Sequence, residues 1–544
     1  GRYNEAYDRF YKSCWNAAWQ DAGYFACAQI SLMQGRLEDA LDEIDRSLIR
    51  NWHHHKARAL KAAILRKMGR KEDALRLIED SLDIDKFNFG CRYEKYLLTG
   101  DVADLQVLKE LMRGEAHNYD EIALDYCGAG CWTEAASLWN IASSENAVTP
   151  MTYYYWGWCL EEGGLEGADA IFAKAVAACP DYCFPNRLEA ILALQCAMEK
   201  NPEDARAPYY LGNLYYDKRQ YDLATEYWEK SATLDASFPT VWRNLALVYF
   251  NKQHQVEKAL ECMEKAFHLD ETDARILMEL DQFYKRMQRP HAERLAFLQQ
   301  YPALIAQRDD LVLEEITLLN QTGAYEKAKT LLDAHIFHPW EGGEGKVPAQ
   351  YQFARVELAK LALKEGRNEE AVQLLEECLV YPHHLGEGKL YGAQENDFYY
   401  FLGCAYDAMG QKEKAKECWE KATLGPTEPA AALYYNDAKP DKIFYQGLAL
   451  MKLARIDEAK GRFHKLTSYG EKHLFDKVKL DYFAVSLPDL LIWEDDLEVR
   501  NIIHCKYMMA LGYCGLGLKD KSLALLQSLE NIDINHQGIM AFGS

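Results

Sequence analysis

Residues 399–422 read YYFLGCAYDAMGQKEKAKECWEKA and contain two helical patterns separated by a turn. In the first pattern, large residues and a glycine recur at the spacing of one helix face, at Tyr399, Leu402, Gly403 and Tyr406. The second pattern follows a glycine and again marks one helix face, with Ala415, Trp419 and Ala422. The stretch therefore predicts a pair of helices joined through a turn at Gly410.

The same unit recurs along the chain with a period of 34 residues. Three alanines of second helices are spaced by this period, namely Ala6, Ala40 and Ala74. A glycine stands five residues before each of them, at Gly1, Gly35 and Gly69. Ala190 and Ala224 repeat the step. Self-similarity at a fixed period of this length is the sequence signature of a repeat architecture.

The pattern of large residue, Leu, Gly and Tyr on the first helix, with Ala, aromatic and Ala on the second, resembles the tetratricopeptide repeat. A small residue such as Gly403 or Ala415 belongs where two helices cross most closely, and aromatic residues fill the space around the crossing. About fourteen second helices follow this pattern. The others centre on Ala135, Ala168, Ala259, Ala292, Ala328, Ala371, Ala459 and Ser522.

Because no stretch reads as a β-hairpin, we predict an all-α fold, a right-handed α-solenoid of helix pairs with more than about 65% helix. Changes in the spacing of the repeats divide the chain into four parts. These are an N-terminal array at 1–180, a central array at 181–335, units with long loops at 336–463, and an atypical segment with a C-terminal repeat at 464–544. Gly1 stands at the turn of a repeat whose first helix is missing, so the sequence is expected to be part of a longer protein.

The composition describes a folded, acidic protein. The 544 residues are 49% hydrophobic and 27% charged, which excludes a disordered chain. There are 62 Lys and Arg against 84 Asp and Glu, a net charge of −22. This field repels phosphates and anionic lipids, so neither nucleic acid nor a membrane is expected as a partner. Fifteen cysteines without disulfide-scaffold spacing, and the lack of a long apolar run, predict a cytoplasmic chain.

A second resemblance to a known family rests on four short stretches of this sequence. They are FHPWEGGEGK at 337–346, LGEGKL at 385–390, DKIFYQG at 441–447 and DYFAVSLPD at 481–489. With GAQEND at 392–397, they are similar to the C-terminal repeat region of a family of large bacterial proteins. In that family a β-sandwich-rich region of unassigned, possibly sugar-related function precedes the repeats. The resemblance implies no catalytic residues within this chain.

Two successive first helices carry the polar and aromatic residues that point into the predicted concave groove. These candidate partner-binding residues are Arg206, Tyr209, Asn213, Tyr216 and Asp217, then Arg243, Asn244, Phe250 and Asn251. Asn213 and Asn244 stand where repeat proteins that clamp a peptide's terminal carboxylate also place asparagine, because an amide bonds an extended backbone. The clamp's lysine position is Tyr209, so a groove that binds something else, or nothing, remains the alternative.

Three long loops form a second candidate surface. Ala328, Ala371, Ala415 and Ala459 are 43, 44 and 44 residues apart, so three units carry about ten extra residues each. Insertions at equivalent points of stacked repeats emerge on one side and would form a ridge. Its candidate residues are His338, Trp340, Glu344 and Lys346, then His383, His384, Glu387 and Lys389, then Tyr434, Tyr435, Asn436 and Asp437. Packing of the loops on their own repeats is the alternative.

No motif predicts catalysis, a cofactor or a metal. The sequence has no Gly-x-Ser-x-Gly elbow, phosphate-binding loop, dinucleotide fingerprint or His-Glu-x-x-His. The pairs Cys127/Cys131 and Cys179/Cys183 lack the four ligands of a metal site and are expected to pack. The histidines at 53–55 fall in a loop. We therefore expect a chain that is not an enzyme.

The sequence favours a protein-interaction scaffold over an enzyme part. The scaffold would bind a protein or peptide partner, or its own upstream domain, through the groove and the loop ridge. The alternative is an accessory part of a carbohydrate-processing enzyme, in which the repeats help to form or cover a sugar site. An upstream β-rich region with clustered acids would favour the alternative.

Overall fold

The computed structural model describes residues 2–431, 439–478 and 492–543. Helices make up 73% of the described residues, and the same ranges contain no strand, so the predicted all-α solenoid of helix pairs is confirmed. Within the same ranges, no helix combines the length and the apolar character that crossing a bilayer requires. The chain divides into two compact units, residues 1–241 and 242–544. The boundaries expected after residues 180, 335 and 463 stay predictions.

The first unit consists of consecutive helices, most of which pack in pairs. Its helices are α1 Tyr3–Ser13, α2 Gln20–Met33, α3 Leu37–Arg50, α4 His55–Lys67, α5 Lys71–Ile84, α6 Phe89–Thr99, α7 Val102–Met112, α8 Ala116–Gly128, α9 Trp132–Ser144, α10 Pro150–Glu162, α11 Ala168–Ala177, α12 Glu189–Lys200, α13 Arg206–Asp217 and α14 Tyr221–Leu234.

The second unit begins within the next helix and is built in the same way. Its helices are α15 Pro239–Asn251, α16 Val256–Leu269, α17 Ala274–Arg286, α18 His291–Leu298, α19 Pro302–Ile305, α20 Asp309–Gln321, α21 Tyr325–Ala334, α22 Lys346–Lys364, α23 Asn368–Cys378, α24 Asn396–Ala408, α25 Lys412–Ala422, α26 Pro440–Lys452, α27 Ile456–His473, α28 Leu497–Gly515, α29 Lys519–Glu530 and α30 Gln537–Gly543.

The predicted period matches the places where second helices start. Ala40, Ala74 and Ala415 are fully buried, and each is the fourth residue of its helix. The turns before these helices contain Gly35 and Gly410 with φ of 74° and 75°, a left-handed conformation that glycine adopts without strain. The glycine and the alanine therefore mark the turn and the crossing of each pair.

One unit of the first half of the chain lacks its first helix. Ala168 and Ala190 are separated by 22 residues, which is too short for a complete unit. Residues 178–188 contain no helix, and α12 packs directly against α10.

Ala292 departs from the pattern, because it is exposed near the start of α18. The inward face of this eight-residue helix instead carries Arg294, whose side chain is fully buried. Its guanidinium lies 2.6 Å from the carboxylate of Asp281 on α17 and 2.7 Å from that of Glu314 on α20. Buried ion pairs, rather than a close crossing at an alanine, therefore join α18 to α17 and α20.

Glycine faces an aromatic ring where the two helices of a pair cross. A Cβ atom on Gly403 would lie 2.3 Å from Nε1 of Trp419, a distance that real Cβ contacts do not show. The same arrangement joins Gly157 to Phe172, Gly212 to Trp228 and Gly447 to Phe463. The aromatic residue of the second helix thus fills the space that the glycine leaves open.

Replacing Gly403 by alanine is expected to lower the free energy of unfolding by about 1–3 kcal/mol, because the methyl group must displace a buried indole. Gly461 in α27 is the matched control, since nothing lies within 4 Å of its Cβ position. Gly461→Ala is expected to stabilise the chain by about 1 kcal/mol through helix propensity. Urea unfolding followed by circular dichroism measures both, and equal effects would show that the helices do not cross closely at Gly403.

Candidate functional site

One face of the first helices in the second unit is covered by the chain itself. α15 ends at Asn251, and α17 carries Phe283 and Arg286 near its end. Residues 492–495 form no helix and lie across these two helix ends. We call residues 492–495 the internal segment, and the surface of α15 and α17 that they contact, together with Lys252, the groove.

The side-chain amide of Asn251 forms two hydrogen bonds with the backbone of the internal segment, one as a donor and one as an acceptor. Its Nδ2 donates to the carbonyl oxygen of Ile492 at 2.9 Å, and its Oδ1 accepts the N–H of Glu494 at 2.9 Å. The side chain is buried, with 7% of the residue exposed. A paired donor and acceptor of this kind recognises extended backbone whatever the side chains are.

Trp493 is the most buried residue of the internal segment, with 2% of its surface exposed. Its ring centroid lies 5.4 Å from that of Phe250 and 4.6 Å from that of Phe283, both in edge-on geometry. The indole Nε1 donates to the carbonyl oxygen of Glu279 at 2.9 Å. The groove therefore satisfies both the apolar ring and the polar N–H of the indole.

Two cations of the groove face the acidic residues that follow the tryptophan. Lys252 forms an ion pair with Glu494. Arg286 lies 2.5 Å from the carboxylate of Asp495 and also donates to the carbonyl oxygen of Trp493 at 3.2 Å. The groove thus places positive charge opposite consecutive carboxylates in a chain whose net charge is −22.

Arg243 and Asn244 lie about two turns before Asn251 on α15. Arg243 makes two bonds of 2.7 Å to the carboxylate of Glu279, and a further N–H reaches Oδ1 of Asn244 at 3.3 Å. The Glu279 side chain is 1% exposed, so this guanidinium compensates a buried carboxylate. The two residues join α15 to α17, and their contact with a partner stays a prediction.

A second stretch of the chain continues over the next first helices of this unit. Asn535 accepts a bond of 3.0 Å from Gln321 and one of 3.2 Å from Arg294. Farther along, Lys360 donates to the carbonyl oxygen of Ala541 at 2.8 Å. Residues 533–543 therefore cover the surface that follows the groove.

In the first unit, Arg206 and Tyr209 contact one ring. The Arg206 guanidinium lies 3.6 Å from the ring centroid of Phe238, and the Tyr209 ring lies 4.8 Å from it. Tyr209 is 5% exposed, so at the position where a clamp would carry lysine this chain has a packed aromatic residue.

The other residues predicted on α13 surround Trp228 or lie at the surface. Asn213 accepts a bond of 3.0 Å from the indole Nε1, and the Tyr216 ring lies 5.4 Å from that of Trp228. Asp217 is exposed and pairs with Lys218 at 2.8 Å. Partner binding by these residues stays a prediction.

Two of the three long loops lie side by side. The N–H of Phe337 in the first loop donates to the carbonyl oxygen of His384 in the second at 2.8 Å. A carboxylate oxygen of Glu387 accepts the N–H of Gly345 at 2.8 Å. The two loops are therefore bonded to each other, and not only to their own repeats.

The paired loops line an open cavity of about 300 Å³. Trp340 and Glu387 line it together with His338 and Glu344. Burial raises the pKa of Glu387, although the N–H of Gly345 works in the opposite direction. An aromatic ring and carboxylates converging on one space form a surface that suits a polar partner group.

The remaining ridge residues are more scattered. His383 and Lys346 are exposed, and His384 is half-buried. Lys389 donates to the carbonyl oxygen of Leu379 at 2.9 Å. The candidate residues of the third loop lie outside the described residues, namely Tyr434, Tyr435, Asn436 and Asp437.

The first unit contains an apolar pocket of about 210 Å³ that the repeat pattern did not predict. It collects side chains from α2, α4, α6 and α8, among them Phe25, Ala59 and Tyr126. Lys56 at its edge lies 2.9 Å from Asp125. Because Phe25 and Ala59 are one 34-residue step apart, aligning the first helices by the period would have brought them together.

Stacked helix pairs with a small residue against an aromatic ring at their crossings define a helical-repeat protein. Residues 397–424, which span α24 and α25, match the family model of the tetratricopeptide repeat. The chain therefore contains a tetratricopeptide repeat at this place, where the sequence shows the pattern most clearly.

Similar proteins cover limited parts of the chain or share little sequence. Superkiller complex protein 3 of Mus musculus is 29% identical over 133 residues, which are 21% of this chain and 8% of that protein. A tetratricopeptide repeat protein from Parabacteroides merdae is 16% identical, covering 55% of this chain and 99% of its own, with a TM-score of 0.26. Yeast Tom70 is 14% identical, covering 76% and 93%, with a TM-score of 0.23. The chain thus spans 8% of the length of the curated relative.

Proposed function

We propose that this chain is a protein-interaction scaffold whose second unit binds an extended peptide segment of a partner in the groove of α15 and α17. One observation carries the proposal: the amide of Asn251 pairs on both sides with the backbone of the internal segment. A site that bonds backbone groups accepts an extended segment of another chain in the same way.

The groove offers a partner contacts of three kinds. Asn251 supplies backbone bonds, and the space between Phe250 and Phe283 takes an aromatic anchor. Lys252 and Arg286 supply positive charge at the rim. Because a few buried anchors contribute most of the free energy of binding, the aromatic space is proposed to decide affinity and the cations to orient the peptide.

The partner is proposed to be a protein rather than a nucleic acid. A net charge of −22 opposes the approach of a phosphate backbone, whereas a local pair of cations still attracts individual carboxylates. The partner can be a separate protein or a further region of a longer protein, as the resemblance to the bacterial family implies.

Selection of random twelve-residue peptides displayed on phage against the immobilised full chain tests the groove. Peptides recovered on the wild type are expected to bind Asn251→Ala about tenfold more weakly, because two backbone bonds are lost. Asn4→Ala is the matched control, since Asn4 is exposed in the first unit and bonds Gln34. Failure to recover peptides on both the wild type and Trp493→Ala, in which the covering segment has lost its buried ring, would contradict the proposal. So would peptides that bind Asn251→Ala as well as Asn4→Ala.

The paired loops are proposed as a second binding surface, and the same selection tests them. We expect a separate set of peptides to lose binding to Trp340→Ala, because this substitution removes the aromatic wall of the cavity, and to keep binding to Asn251→Ala. Circular dichroism checks that helicity is unchanged. Wild-type binding of every peptide to Trp340→Ala and to Glu387→Ala would leave these loops with a packing role.

A further inference from the structure

The internal segment has a sequence that matches the groove position by position. It reads Ile492-Trp493-Glu494-Asp495, an aromatic residue followed by two acidic residues. The tryptophan enters the space between two phenylalanines, and each acidic residue meets one cation. Asp496 takes no part in the match, because its carboxylate accepts N–H groups at the start of α28.

The groove selects this chemistry for physical reasons. An aliphatic side chain would leave the carbonyl oxygen of Glu279 without the N–H that the indole provides at 2.9 Å. Two uncharged side chains after the anchor would remove the carboxylates that Lys252 and Arg286 contact in the internal segment. The complement of the groove is therefore an extended peptide with tryptophan followed by two acidic residues.

The two ion pairs of the internal segment can open and be replaced by ion pairs with another peptide. The side chains of Lys252 and Glu494 are 23% and 53% exposed, and those of Arg286 and Asp495 are 32% and 26% exposed. Ion pairs that reach water contribute little to stability and open readily. The segment adds no helix of its own to the repeats. Its hold rests on the Trp493 ring, the amide of Asn251 and the bond from Arg286 to the carbonyl oxygen of Trp493.

We propose that the internal segment is a built-in competitor, which the groove exchanges for a partner peptide carrying tryptophan followed by acidic residues. This inference rests on the proposed function of the groove and adds the partner's chemistry and its regulation. The bound segment keeps the groove closed until a peptide of matching sequence is present at sufficient concentration. Being tethered, the segment competes at an effective concentration of about millimolar.

The test uses the full chain and a fluorescein-labelled peptide, Leu-Ile-Trp-Glu-Asp-Asp-Leu, with the sequence of residues 491–497. Fluorescence anisotropy is expected to show that Trp493→Ala binds this peptide at least about tenfold more tightly than the wild type, because the competitor is weakened. Trp15→Ala is the matched control, since Trp15 is 78% exposed in the first unit. It should bind like the wild type.

Further variants locate the binding. Adding Asn251→Ala to Trp493→Ala should lower the affinity about tenfold, and a peptide with alanine in place of tryptophan should not bind. A peptide with glutamine and asparagines in place of its acids should bind more weakly and lose the dependence on salt. If Trp493→Ala loses helicity, Asp495→Asn serves instead and should give a smaller gain in affinity.

Equal affinity of wild type and Trp493→Ala, or binding that ignores Asn251, would overturn the proposal. So would a wild-type chain that elutes as a dimer and dissociates on Trp493→Ala, because the segment would then belong to the groove of a second copy. Displayed peptides that depend on Asn251 but lack an aromatic residue followed by acids would overturn this inference alone and leave the proposed function standing.

Discussion

Replacing Arg294 by methionine is expected to lower the free energy of unfolding of the second unit by about 3–5 kcal/mol, because two carboxylates lose their buried guanidinium. Asp281 contacts it at 2.6 Å and has a side chain 1% exposed, and Glu314 contacts it at 2.7 Å. Glu314 keeps Lys285 at 3.1 Å, whereas Asp281 has no second cation at ion-pair distance among the described residues. Urea unfolding monitored by circular dichroism measures the loss.

The pH dependence of this loss follows from Asp281. Burial raises its pKa to about 6, although Arg294 favours ionisation. A protonated carboxyl needs no counter-charge, so the loss caused by Arg294→Met should be smaller at pH 5 than at pH 8. Arg367→Met is the control, since Arg367 faces two carboxylates but is 46% exposed. Equal effects of the two substitutions would show that Arg294 is not buried between the carboxylates.

The free energy of unfolding of Asp120→Asn is expected to rise relative to that of the wild type as the pH increases from acid to neutral. For the first unit this relative gain is on the order of 3 kcal/mol. Asp120 on α8 is 4% exposed and accepts the indole N–H of Trp139 at 2.9 Å and the hydroxyl of Thr152 at 3.0 Å. Burial raises its pKa to about 6 from 3.8, despite these two bonds. An uncharged asparagine can keep both contacts, with its Oδ1 accepting the indole N–H and its Nδ2 donating to the hydroxyl oxygen of Thr152.

The sign follows from proton binding. Between about pH 4 and pH 6 the folded chain holds the proton of Asp120 more tightly than the unfolded chain, so wild-type stability falls as the pH rises through this window. Asp120→Asn removes that slope, and the difference between the two chains isolates it. Asp120→Leu should lose stability at both ends of the range, because Trp139 and Thr152 lose their acceptor. A difference between wild type and Asp120→Asn that does not change with pH would contradict the account.

The helix pairs could be predicted because the residues that a close crossing requires lie within a single repeat. Gly403 and Trp419 belong to neighbouring helices, and each close crossing needs a small residue against a large one. Where another interaction replaces the crossing, the pattern fails. In α18 a buried ion pair of Arg294 holds the helices, and Ala292 points outward.

The occupant of the groove could not be predicted from the repeat pattern. Asn251 and Glu494 are 243 residues apart, whereas a period describes contacts between neighbouring repeats. The sequence placed Phe250 and Asn251 on the groove, but it gave no reason to connect them with Trp493. The tryptophan lies within residues 464–544, the part of the chain that contains the atypical segment. A tryptophan followed by three acidic residues is the signal that could have drawn attention to it.

Amide hydrogen exchange of Glu494 in the full chain tests most directly whether the groove holds an extended peptide segment. The N–H of Glu494 is bonded to Oδ1 of Asn251, so mass spectrometry resolved to single residues should find it protected in the wild type. In Asn251→Ala the protection of Glu494 should be lost, while the amides of α4 in the first unit keep theirs. A wild-type Glu494 amide that exchanges at the rate of an unfolded chain would contradict the account.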